Sequence, residues 1–255
     1  MSKLGAELKK VIDAYQVTFS DADRRSSSLL EIAAMLLAVQ HYEANDYDVI
    51  PFSKKGNFSP KYAATGDTME YSYWKVKKGD QCYEIHLNAP IWDGFTGKES
   101  TFVVDVGVIK EGSKIRKDDG KGIHTFVSRS RRYVLIGYEN EDLVTFIEAK
   151  YIPIYPMLVA QFVGIVHEIT PWAIGNSPPE GFRESSHFDP TLVSKGKPSA
   201  NVERLLSKMP KRNFSIRIIP SFEKYIEGMQ LRIKPKASIL NHDPKNIFPK
   251  EWWLK

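Results

Sequence analysis

Glu148 and Lys150 stand two residues apart at the end of the apolar run Leu143-Val144-Thr145-Phe146-Ile147. The run reads as a buried β-strand, and a spacing of two on a strand places both side chains on one face. A carboxylate and an ammonium at the end of a buried strand are costly unless paired or used. Upstream, Asp105 interrupts a second apolar run, Thr101-Phe102-Val103-Val104-Asp105-Val106-Gly107-Val108-Ile109. An Asp on one strand and Glu-x-Lys on the next is a way to hold a hard divalent cation, because Mg²⁺ prefers carboxylate oxygens and retained waters. In that reading Asp105 and Glu148 are metal ligands and the Ala149 carbonyl offers a third oxygen. Lys150 positions or polarises the attacking water and neutralises charge on a phosphate. Glu31, the only charge in Ser28–Val39, completes the acidic cluster if its helix packs against this edge. The plainer reading is an ion pair, Glu148–Lys150 or Asp105–Lys150, closing a strand end, with Glu31 on an exposed helix edge.

The elements that must position these residues follow from hydrophobic periodicity and turn residues. Leu4, Leu8, Val11, Ile12 and Tyr15 recur at helical spacing over roughly the first fifteen residues. Ser20, Asp21 and Asp23 supply turn or cap chemistry before a second helix over Ser28–Val39, apolar nearly all round and therefore buried. Tyr47–Phe52 reads as a short strand ended by Pro51, and residues 53–70 as a polar loop. Tyr71–Val76 and Cys82–Leu87 form a hairpin, and a turn region with Pro90, Gly94 and Gly97 leads to the Asp105 strand. Residues 110–121 read as a mobile basic loop, Tyr133–Tyr138 as a strand, and Glu139–Asp142 as the turn feeding Glu148. Pro153 and Pro156 stop that strand and open a helix over Met157–Glu168. A long loop over 171–188, a buried strand at Thr191–Val193, a helix from Ser199 to Ser207 and a strand over Phe214–Ile219 complete the body. Met229–Ile233 and the pair Trp252-Trp253 lie in the tail. This order predicts an α/β (α+β) fold, a mixed central β-sheet flanked by helices.

With 255 residues, 42% of them hydrophobic and 26% charged, the chain has globular composition and suits one domain. The formal net charge of +5 is compatible with a polyanionic partner but modest. A single cysteine, Cys82, excludes a disulfide framework and a Cys-rich zinc site. With neither a membrane-spanning apolar segment nor a signal-like N-terminus, the expected location is cytoplasmic.

Glu31 in the leading helix, Asp105 in Val-Val-Asp-Val-Gly-Val-Ile and Glu148 with Lys150 in Phe-Ile-Glu-Ala-Lys form a pattern that resembles the PD-(D/E)xK nuclease superfamily. The resemblance spans about residues 28–195. It implies a restriction-endonuclease-like core with residues 196–255 as a C-terminal elaboration, all in one nuclease-like domain. It further implies a Mg²⁺ (or Mn²⁺) cofactor held by Asp105, Glu148, Ala149 and Glu31, with Lys150 as catalytic lysine. Gln161, in the helix after the lysine strand, matches a glutamine some relatives carry. The implied activity is endonucleolytic hydrolysis of nucleic acid, DNA before RNA, in restriction or phage defence, with a homodimer as a further expected partner. The chain departs from the pattern in lacking a proline before Asp105 and in the long stretch between the two motif strands, so Asp93 and Glu84 are the fallback acids.

Other constellations carry less. The histidines His41, His86, His124, His167, His187 and His242 show no zinc-type pairing. Ser185 and Ser186 adjoin His187 without a nucleophile elbow. Lys195-Gly196-Lys197-Pro198-Ser199 reads as a solvated turn before a helix capped at Ser199. The basic residues of 110–132 suit a phosphate backbone or a solvated loop equally. Trp252 and Trp253 suit base stacking or packing on the domain. A different class of function, a nuclease-like fold acting as a nucleic-acid-binding or protein-interaction module without chemistry, retains the same residues as ion pairs. No Gly-x-Gly-x-x-Gly cofactor fingerprint points to a metabolic enzyme.

Overall fold

The helix expected over Ser28–Val39 runs from Ser26 to Ala44 (α1) in the computed structural model. The structure describes residues 26–53, 58, 60–61, 70–92, 101–113, 115–117, 136–175, 177–182, 185–222 and 224. Leu30, Ile32, Met35, Val39 and Tyr42 are all buried, as a helix with no polar stripe requires. The helix closes in a Schellman turn: Tyr47 N–H donates to the Tyr42 carbonyl at 3.0 Å and Asp46 N–H to Glu43 at 3.2 Å. Asp46 takes the left-handed conformation there, at φ 64°, where glycine is the usual choice.

Nine strands among the described residues form one sheet: β1 (Asp48–Phe52), β2 (Tyr73–Lys78), β3 (Gln81–Trp92), β4 (Thr101–Lys110), β5 (Ile115–Lys117), β6 (Ile136–Glu139), β7 (Leu143–Lys150), β8 (Thr191–Ser194) and β9 (Arg217–Ile219). The order is β1-β2-β3-β4-β7-β8-β9, with β6 parallel to the far end of β3 and β5 against β6. The β1 to β4 and β4 to β7 pairings are antiparallel, whereas β7, β8 and β9 run parallel. The parallel step from β7 to β8 needs a crossover, and α2 (Pro156–Ile169) lies within it, followed by the single turn α3 (Trp172–Gly175). A short helix, α4 (Ala200–Leu206), is capped by Ser199, whose side chain accepts the Val202 N–H. The fold is thus mixed α/β, as the sequence indicates.

Neighbouring residues of β7 divide between two cores. Ile147 packs with Trp74, Ile85, Val106 and the buried side of α1; Phe146 packs with Ala89, Val104 and Phe162 of α2. Successive strand residues point to opposite faces, so helices cover both faces of the sheet. That is why β7 reads as a continuous apolar run instead of alternating.

Several boundaries differ from expectation. Pro90 belongs to β3, which continues to Trp92 in place of the expected turn region. β6 can lie against that stretch because residue 137 is glycine: a Cβ there would meet the Pro90 carbonyl oxygen at 2.6 Å. Pro51 lies inside β1 opposite Trp74, tolerated because β1 is an edge strand whose outer N–H groups need no partner. β7 stops at Lys150, short of Ile152. The last expected strand shrinks to Arg217–Ile219, and Lys61, expected in a polar loop, is a buried side chain. The expected N-terminal helix, Asp93, most of the basic 110–132 stretch, His124, His242, Met229–Ile233 and the Trp252-Trp253 pair lie outside the described residues. Among the described residues no helix is long and apolar enough to cross a membrane.

Candidate active site

β4 and β7 are direct antiparallel neighbours despite the long stretch between them, and their ladder reaches Val106↔Ile147. One step further the register sets Asp105 opposite Glu148. Here side chains take over from the ladder. The Asp105 Oδ2 accepts the Ala149 N–H at 2.7 Å, and the Glu148 carboxylate accepts the Asp105 N–H. The Lys150 ammonium bridges the two acids, 3.1 Å from Asp105 Oδ2 and in close contact with Glu148 Oε1. The Asp105 and Glu148 side chains are 12% and 8% exposed, and Lys150 33%. The cluster therefore opens to solvent on the lysine side.

Burial pushes the Glu148 carboxyl up, and repulsion from Asp105 adds to it, to about 7 despite Lys150. Burial also raises Asp105, against the pull of Lys150 and the Ala149 N–H. For Lys150 burial works the other way, but the Asp105 and Glu148 charges outweigh it and its ammonium is held more tightly than usual. Both effects follow from packing like charges in a poorly solvated place and setting one cation between them.

Glu31 reaches the same field from α1. Burial and then the Asp105 charge raise its pKa, while Asn88 and Lys150 lower it. Asn88 Nδ2 donates to Glu31 Oε2 at 3.2 Å and to the Lys61 carbonyl at 3.0 Å. Asn88 is absent from the sequence reading, which treats this part of the chain as the approach to a turn. It faces Asp105 across β3 and β4, between the pairs Leu87↔Val106 and Ala89↔Val104, and its φ is 49°. Ile85 and Leu87 belong to the α1-side core, but Ala89 and Ile91 to the α2 side. On β4, Val106 and Val108 lie on the first side and Val104 on the second. Both strands change faces at the level of Asn88 and Asp105. Asparagine, which tolerates the left-handed region, inside a strand pattern where it is disfavoured was the available signal.

The remaining candidates lie elsewhere. Gln161 is exposed on α2, and among the described residues no hydrogen bond joins it to the acidic cluster. Glu84 belongs to a separate buried network: its Oε2 is 2.9 Å from His86 Nε2, which is 3.1 Å from the Tyr138 hydroxyl, and Tyr73 stacks on the His86 ring at 4.6 Å. Ser185 and Ser186 do not engage His187. The Tyr47 hydroxyl donates to the Ser185 carbonyl at 2.5 Å, and His187 Nδ1 meets the Tyr42 hydroxyl at 2.7 Å. These contacts tie residues 185–187 to α1 and to the turn that follows it.

Among the described residues, no group of three or more His, Cys, Asp or Glu side chains is disposed to hold a metal. Asp105 and Glu148 remain as a two-carboxylate, all-oxygen donor set. That set fits Mg²⁺, which binds through one or two carboxylates and retains waters, and does not fit a zinc site. Both contacts to Asp105 use Oδ2, so Oδ1 is its free donor oxygen among the described residues. The chain matches no protein-family model, no curated protein and no solved structure.

Proposed function

We propose that the chain is a Mg²⁺- or Mn²⁺-dependent endonuclease with a restriction-endonuclease-like core, acting on DNA before RNA in restriction or phage defence. The observation that carries this is the meeting of Asp105, Glu148 and Lys150 at one point of the β4–β7 pair. The order of elements, helix, antiparallel strands, the Glu-x-Lys strand, helix and a parallel strand, supports the core reading.

Asp105 and Glu148 would hold the ion, which when bound lowers the pKa of a coordinated water and neutralises phosphate charge. Lys150, kept protonated by the two acids, stabilises the negative charge that develops on the phosphate. Lys150 also lies where it would orient the attacking water, whose proton passes to solvent. The water oxygen then bonds to phosphorus as the P–O ester bond breaks, and the leaving oxygen takes a proton from solvent.

The second reading, a binding module without chemistry, draws on the same contacts, because Lys150 already pairs both carboxylates. Calorimetry with Mg²⁺ or Mn²⁺ separates the two. Metal binding lost in Asp105→Asn, together with metal-dependent cleavage of plasmid or oligonucleotide by the native chain, supports the nuclease. Neither binding nor cleavage leaves the module.

A further inference from the structure

Among the described residues, the large apolar side chains left exposed are Tyr151, Ile152, Tyr155 and Met157, at 37, 44, 42 and 62%. All follow directly on Lys150, the last residue of β7. The strap that carries them is anchored: Ile154 in its middle is 2% exposed and packs in the α2-side core, and Pro153 and Pro156 restrict its backbone. Lys195 N–H donates to the Lys150 carbonyl at 3.1 Å, which brings Lys195 alongside. Its Nζ lies 4.0 Å from the Tyr151 ring centroid and 2.6 Å from the Tyr151 hydroxyl. Residues 151–157 and 194–199 contain no Asp or Glu, while Lys195 and Lys197 are present. Clustered exposed apolar groups mark interaction surfaces. Lysines without acids select a polyanion, and aromatic faces beside them select one with unstacked bases. A duplex keeps its base faces inside the stack.

We propose that the Tyr151–Met157 strap is a base-stacking platform for single-stranded nucleic acid, with Lys195 and Lys197 on the phosphates, leading the strand to Lys150. This rests on the reading of the Asp105–Glu148–Lys150 centre as acting on nucleic acid. It adds a substrate form that the centre alone does not specify.

The test is fluorescence anisotropy in metal-free buffer, with a labelled oligothymidylate and a duplex of equal length, on the native chain, Tyr151→Ala/Tyr155→Ala and Tyr151→Phe/Tyr155→Phe. Both rings are at the surface, and circular dichroism verifies the fold of each variant. The alanine pair should weaken oligothymidylate binding at least about tenfold, leave duplex binding within about twofold, and be rescued by the phenylalanine pair. Unchanged affinity, or equal loss for both forms, overturns the platform while leaving the nuclease reading standing. A native chain that binds neither form overturns the platform, and the nuclease reading is then decided by the metal-dependent cleavage assay. Light scattering that shows the alanine pair dissociating a dimer, with oligothymidylate affinity intact, assigns the strap to a second copy of the chain and overturns the proposal.

Discussion

Asp105 and Glu148 exchange backbone partners across β4 and β7: the Asp105 N–H serves the Glu148 carboxylate, and the Asp105 carboxylate serves the N–H of Ala149 next to it. The two acids thus replace ladder bonds at the point where the regular pairing stops. Their carboxylates are held by main chain, and Lys150 is the side chain that answers their charge.

Removal of that charge should stop cleavage without unfolding the chain. Lys150→Ala and Glu148→Ala are each expected to lower kcat by about 10²–10⁴-fold, with far-UV circular dichroism unchanged. Cleavage by both variants at the native rate would sink the assignment.

The raised Glu148 pKa has a stability consequence. Its folded value of about 7 exceeds the ordinary 4.5, so the folded state holds the proton more tightly than the unfolded one. Ionisation therefore costs stability progressively as pH rises from about 4.5 to about 7, and the whole cost is present above that. Glu148→Gln should remove this slope and raise the melting temperature at about pH 8 by a few degrees. Melts of both proteins across that range check it; parallel curves would contradict the shift.

His187 acts with the opposite sense. Burial, and then the nearby His41, lowers its pKa from 6.5 to about 4. The folded state therefore resists protonation, and its stability, complete above about pH 6.5, is lost as pH falls toward about 4. His187→Gln keeps an acceptor for the Tyr42 hydroxyl and should flatten that acid slope. An NMR titration giving His187 an ordinary pKa would refute this.

Asn88 invites a paired comparison. Asn88→Gly keeps the left-handed conformation and deletes the amide that serves Glu31, whereas Asn88→Ala also strains the backbone, by about 1–2 kcal/mol. Chemical denaturation should rank Asn88→Gly above Asn88→Ala in stability. If Glu31 supports the centre, both should lower Mg²⁺ affinity measured by calorimetry by a similar factor. Equal stability of the two variants would contradict the strained position.

The sequence by itself indicated the strands that hold Asp105, Glu148 and Lys150 and the layers around them. The unbroken apolar runs around Asp105 and before Glu148 read as buried strands, and the all-round apolar Ser28–Val39 as a buried helix. Pro156 and Ser199 marked helix starts through local backbone chemistry. Such features depend on periodicity and capping within a few residues of each other. Only the tertiary structure decided that β4 and β7 are neighbours in the register that sets Asp105 against Glu148. Pairing across dozens of residues, and a one-residue slip that would turn either acid to the other face, leave no local mark. The structure likewise decided that Asn88, in a left-handed bend where two strands change faces, serves Glu31. It also placed Glu84 with His86 and not with Asp105. Those outcomes depend on which side chains meet through space, and spacing along the chain does not specify that.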